Sequence, residues 1–142
     1  MVARSFNLIG PGMPESQVAG ALCKQFSDPK LGEIEAGNTT PIRDFVDVRD
    51  AVRAYWMLLE QGASGAAYNI CSNKPVSIES LISLFQQQVS RNVSVRIVAN
   101  RVRDIDSDVV FGSYKKLHDL TGWMPQISLR QSVADMLEYA AK

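Results

Sequence analysis

The stretch Pro41–Trp56, PIRDFVDVRDAVRAYW, decides how the rest of the chain is read. Arg43 and Asp44 flank Phe45 in a strand-like segment. From Asp47 onward Val48, Ala51, Val52, Tyr55, Leu58 and Leu59 recur at a helical period, and Asp47 is placed to cap that helix. Asp50 falls in the first turn, where negative charge suits the helix dipole. Arg49 and Arg53, one turn apart, read as residues of a solvated face. Arg43 and Asp44 are different because they precede the helix. An arginine there either reaches into a cleft to hold a phosphate bidentately or makes a surface ion pair with Asp47. Periodicity does not separate the two.

Outward from this stretch the chain keeps alternating strand and helix. Val2–Leu8 reads as a buried strand stopped by the glycines and proline of Gly10–Gly12. A helix after Pro14 sets Val18, Leu22 and Phe26 on one face, and a short strand is expected around Ile34. The helix after Asp47 should stop near Gly62. AAYNICS is a strand, and Ser77 caps a helix whose apolar face is Ile78, Leu81, Ile82, Phe85 and Val89. Another strand starts near Val93. Ser113 starts a short helix through Leu117 and Leu120, ended by Gly122 in a left-handed position. The last helix begins at Ser128, with Gln131 completing a capping box, and buries Val133, Met136 and Leu137. The order β-α-β-β-α-β-α-β-α-α is an α/β arrangement. The chain of 142 residues is one domain in length, residues 1–142, with no repeat or linker.

Composition narrows the function classes. Fifteen basic residues balance fifteen acidic ones, so no electrostatic footprint points to nucleic acid or an anionic membrane. No apolar run approaches the roughly 20 residues that span a bilayer, and the N-terminal stretch does not have the flanks of a signal peptide. Cys23 and Cys71 have no metal-ligand spacing and read as reduced thiols in a cytoplasmic interior. With His118 as the single histidine, histidine metal sites and Ser-His-Asp triads are nearly excluded.

Three blocks carry a resemblance: RSFNLIGPG, then the run from Ile34 through Phe85, then RDIDSDVVFGSYKKLHDLTGWMPQISLRQSV. Together they resemble the C-terminal, substrate-binding part of an extended short-chain dehydrogenase/reductase of the NAD-dependent epimerase/dehydratase family. Within it the chain is most similar to GDP-mannose 4,6-dehydratases and GDP-4-keto-6-deoxymannose reductases. The resemblance implies a Rossmann-like α/β fold carrying the last sheet strands without the N-terminal dinucleotide-binding half. It also implies a sugar-nucleotide site. Asn7 would lie beside the sugar diphosphate, Arg43 would contact the diphosphate, and Arg103 with Asp106 would hold the diphosphate and the nucleotide ribose. A guanidinium complements phosphate oxygens, and a carboxylate accepts from ribose hydroxyls. Each has a plainer reading. Asn7 ties off a strand through its amide, and Arg103 belongs to a surface cluster with Asp104, Asp106 and Asp108, where the family usually has a proline after the arginine. Trp123 and Pro125 read as packing.

The family's NAD or NADP site and its catalytic pair are expected upstream of these blocks, so no cofactor and no catalytic residue are assigned to this chain. The family's tyrosine is followed four residues later by a lysine. At that interval from Tyr55, Tyr68 and Tyr114 stand Leu59, Ser72 and His118, and Tyr139 has no residue there. The expectation is therefore a chain inactive by itself that binds at most a nucleoside-diphosphate sugar. The alternatives are an oligomeric structural protein and a half-enzyme completed by a separate nucleotide-binding chain. Without its preceding neighbours the first strand has an open edge, which leads us to expect a homodimer through it.

Overall fold

In the computed structural model, which describes residues 1–98 and 108–142, the stretch quoted above is strand β4 (Ile42–Asp47) running directly into helix α2 (Val48–Gln61). Asp47 makes the junction: its carboxylate accepts from the Arg49 amide at 2.9 Å as the helix N-cap. From Asp44 to Asp47 the strand is buried on both faces. Phe45 enters one apolar core and the adjacent Val46 enters another, because successive strand side chains point opposite ways.

Among the described residues the strands form three sheets. β1 (Val2–Ser5) runs parallel to β5 (Ala67–Ile70). β2 (Asn7–Ile9) runs parallel to β4, which also pairs antiparallel with β6 (Pro75–Ser77) and parallel with β8 (Val109–Val110). β3 (Glu33–Ala36) runs parallel to β7 (Ser94–Ile97). The first core gathers Ile9 and Ile34 with α1 (Val18–Ser27), α3 (Ile78–Gln88) and α5 (Leu129–Ala140), and the rings of Phe26 and Phe85 stack there at 5.4 Å. The second joins α2 to β5 and α4 (Lys115–Thr121) around Trp123, whose ring meets Tyr114 edge-on at 5.5 Å.

Several local expectations hold. Ser77 caps α3, Gly122 ends α4 with φ 73°, and Ser128 caps α5 through the Gln131 amide. Trp123 is buried packing whose indole N–H donates to the Asp50 carbonyl at 3.0 Å.

Other expectations need correction. The segment Val2–Leu8 is two strands broken at Phe6, where the chain changes partner from β5 to β4, and β1 is largely exposed rather than buried. On α1 the buried face is Ala19, Leu22, Cys23 and Phe26, with Val18 exposed, because α3 and α5 meet that side. On α2 the small Ala51 and Ala54 with Leu58 face the sheet, leaving Val52, Trp56 and Leu59 at 58%, 64% and 73% exposure. Helix α4 is capped at Tyr114, one residue after Ser113, whose hydroxyl accepts from the Lys115 amide. Gln131 does not close a capping box, since its side-chain amide donates to Asp135 at 2.6 Å. The short strands β6 and β8 carry no pattern by which their pairing with β4 is legible. His118 is exposed, as a solvated side chain on a short helix would be, and its Nδ1 lies 3.1 Å from the Trp123 carbonyl oxygen.

Candidate sugar-nucleotide site

The acids of Arg43–Asp50 do not form a solvated face. Asp44, Asp47 and Asp50 are buried, at 0%, 2% and 2% exposure, and each binds a different distant segment. Asp44 accepts from the amide and hydroxyl of Ser72, both at 2.6 Å, from the Asn73 amide at 3.0 Å and from the Gly112 amide at 3.4 Å. Asp47 accepts from Arg49 Nε at 2.8 Å and from the Ser132 hydroxyl of α5 at 2.6 Å. Asp50 accepts from the amides of Gln126 and Ile127, both at 2.9 Å, and pairs with Arg53 at 2.9 Å. A carboxylate can be buried when its lone pairs are met in this way.

These partners set the electrostatics. Burial alone would raise the Asp47 carboxyl, but hydrogen bonds from Arg49 and Ser132 outweigh it and hold the group below the usual carboxylate range. Arg49 bridges Asp47 to Asp135 of α5 at 2.6 Å, and the Asp47 and Asp135 carboxylates raise its guanidinium further. Arg53 donates to the Met124 carbonyl at 2.6 Å. Both arginines read as a solvated face in the sequence, but both tie α2 to later segments.

Arg43 is placed differently. On β4 it alternates with the buried Asp44 and lines a cleft of about 720 Å³ between α1, the end of β3 and the start of α3. Its Nη1 donates to the Ile42 carbonyl at 2.8 Å. Both oxygens of Asp47 are engaged by Arg49 and Ser132.

Asn7 lines the same cleft from β2, and its side-chain amide donates to the Asp44 carbonyl at 3.2 Å. It therefore opens a strand rather than tying one off, and it faces the space beside Arg43. It also borders a second cavity of about 520 Å³ walled by β2, the Gly10–Pro14 turn after it and Val48. Arg103 and Asp106 lie outside the described residues.

Lys24, Gln17 and Asn38 line the cleft as well and escaped sequence reasoning. Lys24 pairs with Glu15 at 2.7 Å at its mouth. Their nearness to β4 depends on how α1 and the β3–β4 turn pack, which no local spacing reports. The cleft thus carries a guanidinium, an ammonium paired with Glu15, side-chain amides and the Glu35 side chain, a polar lining that offers donors and acceptors to a hydroxyl-rich ligand, with Arg43 as its donor to phosphate oxygens. Among the described residues no group of three His, Cys, Asp or Glu side chains is placed to hold a metal ion, and no helix is long and apolar enough to cross a membrane.

This fold and cleft define an α/β, Rossmann-like unit matching the C-terminal half of extended short-chain dehydrogenase/reductases. Residues 1–136 match the family model described as GDP-mannose 4,6 dehydratase, and the chain belongs to that family. It is 38% identical over 141 residues to GDP-6-deoxy-D-mannose reductase of Pseudomonas aeruginosa, covering 96% of this chain and 46% of that protein. It is 29% identical over 142 residues to a putative GDP-L-fucose synthase 2 of Oryza sativa subsp. japonica, covering 94% and 40%. The solved structure of RMD from Pseudomonas aeruginosa complexed with NADPH superposes with a TM-score of 0.91 at 35% identity, covering 99% of this chain and 48% of that one. A putative epimerase from Burkholderia cenocepacia J2315 gives a TM-score of 0.90 at 27% identity, covering 98% and 46%. The chain thus spans less than half the length of these curated relatives.

The nicotinamide dinucleotide implied by the family needs a glycine turn that presents a pyrophosphate to a helix N-terminus. After β2 the chain passes Gly10, Pro11, Gly12 and Pro14 before α1 begins at Val18, and both prolines lack an amide donor. The Pro14 carbonyl accepts from the Gln17 amide at 3.1 Å, and a Cβ added at Gly20 would lie 2.2 Å from its oxygen. A carbonyl oxygen, the wrong charge for a pyrophosphate, thus covers the first turn. The turn before α1 does not fit a dinucleotide pyrophosphate, and no step is derived through one.

Proposed function

We propose that this chain is the sugar-nucleotide-binding part of a dehydratase or reductase acting on GDP-mannose-derived substrates, and that alone it binds such a ligand without converting it. The observation that carries this reading is Arg43 lining the same cleft as Asn7, with family membership behind it. Arg43 takes the diphosphate, Asn7 lies beside the sugar diphosphate, and Arg103 with Asp106 complete the diphosphate and ribose contacts. The test is calorimetric titration with GDP-mannose and, separately, NADP. Binding of the sugar nucleotide but not NADP, lost in Arg43→Ala, supports the reading. No heat from either ligand overturns it.

A second reading is self-association. Among the described residues β1 pairs only with β5, and the Val52–Trp56–Leu59 stripe of the adjoining α2 is exposed. An open strand beside apolar surface suits a second copy pairing along β1. A monodisperse monomer in sedimentation at micromolar concentration would refute the homodimer.

A further inference from the structure

We infer that Asp44 is a positioning residue for the cleft, holding Arg43 and Asn7 where a sugar nucleotide would meet them; this rests on the sugar-nucleotide reading above. Arg43 and Asp44 are neighbours on β4, so a force that turns Asp44 inward turns Arg43 outward. That force is unusually well supplied. The Asp44 carboxylate, with no exposed surface, receives hydrogen bonds from three residues in two segments: Ser72 and Asn73 after β5, and Gly112 before α4. Asn73 holds φ 58° there, a left-handed conformation that asparagine tolerates better than most residues.

The same residue controls the other wall of the site. The Asp44 backbone carbonyl is the acceptor of the Asn7 side-chain amide, so moving this peptide moves both candidate ligand residues together. Asp50 is the natural comparison. It is equally buried and equally satisfied, but it fastens the Gln126–Ile127 segment to α2, and neither it nor those partners line the cleft. Loss of Asp50 should cost stability alone.

The test compares Asp44→Asn, Ser72→Ala and Asp50→Asn with the parent chain by GDP titration, at a temperature where circular dichroism shows each folded. The NMR signal of the Asn7 side-chain amide is followed in parallel. Asp44→Asn puts an NH₂ against amide donors and should weaken GDP binding about tenfold or more, with Ser72→Ala weakening it about threefold. Asp50→Asn should stay within about twofold of the parent. The Asn7 signal should shift in Asp44→Asn and stay put in Asp50→Asn. Unchanged affinity or an unmoved Asn7 signal in Asp44→Asn overturns the inference, as does an Asp50→Asn loss of equal size. If Asp44→Asn does not fold, Ser72→Ala decides by the same two readouts. If the parent itself does not bind GDP, the sugar-nucleotide reading fails, and the Asn7 signal alone decides whether Asp44 positions the cleft wall.

Discussion

Replacing Asp50 by alanine should cost roughly 3 kcal/mol, although the sequence gives the residue no role beyond its charge in the first helical turn. The carboxylate is 2% exposed and one of its oxygens accepts from the amides of both Gln126 and Ile127 at 2.9 Å. Without it two backbone donors lose their acceptor. Each such loss costs about 1–3 kcal/mol, with the lower end fitting here because Gln126 is exposed and Ile127 only half-buried. The ion pair to Arg53, a side chain one-third exposed, adds about 0.5 kcal/mol after solvent screening. For a chain of this length roughly 3 kcal/mol lowers Tm by roughly 10 °C. Asp50→Asn keeps an acceptor oxygen for both amides and should cost only about 1 kcal/mol. Urea denaturation of the three proteins, with a common m-value, measures both numbers. A cost below about 1 kcal/mol for Asp50→Ala would mean that residues 126–127 find other partners. Equal costs for Ala and Asn would mean that charge, not acceptance, is what matters. Either result refutes the reasoning.

Gly20→Ala should destabilise the chain by more than about 2 kcal/mol despite alanine's better helix propensity, because the added Cβ falls 2.2 Å from the Pro14 carbonyl oxygen; thermal unfolding near the parent Tm would contradict this. Arg43→Ala should weaken GDP binding about ten- to hundredfold, the worth of charge-assisted phosphate hydrogen bonds, as read by calorimetry. Asp47 is held low by Arg49 and Ser132 against its burial, and Asp135 is held low by Arg49 and Gln131. Their folded values lie below the unfolded ones, so this stability is complete above about pH 4 and lost as pH falls through the depressed values. Asp135→Asn should therefore flatten the fall in urea stability below about pH 4, and an unchanged slope would count against the pairing. Burial raises the Cys23 thiol, and burial with the Asp44 charge pushes Cys71 up to about 11. Both should resist a thiol-specific disulfide reagent at pH 8 until the chain unfolds, and fast labelling of the folded protein would show that these thiols are accessible.

Much of the fold was legible because its signals are local. The Asp47, Ser77 and Ser128 caps and the Gly122 stop each rest on a side chain or a φ angle within one helical turn. Helix faces were less legible. Val18, Val52 and Leu59 fit a helical period as well as their buried neighbours do, and only the packed partners decide which apolar side turns inward. The break of the first strand at Phe6 escaped notice for the same reason, since β-forming residues continue across it while the pairing partner changes. At the site, Asn7 and Arg43 were nameable from motif resemblance and do line one cleft, whereas Gln17, Lys24 and Asn38 join them only through the docking of α1 and the β3–β4 turn.

The stretch Pro41–Trp56 shows the division most plainly. The sequence by itself determined that a strand runs into a capped helix, that the chain is α/β, and that it resembles sugar-nucleotide enzymes, because propensity, capping and motif order are written along the chain. Tertiary structure alone decided what the acids do. Asp44, Asp47 and Asp50 sit three residues apart, a pattern that reads equally well as a charged helix edge. They are buried because their hydrogen-bond donors arrive from residues 72–73, 112, 126–127 and 132, brought close by folding. Arg49 and Arg53 supply only part of what Asp47 and Asp50 accept, and the donors that complete the burial come from segments distant in sequence.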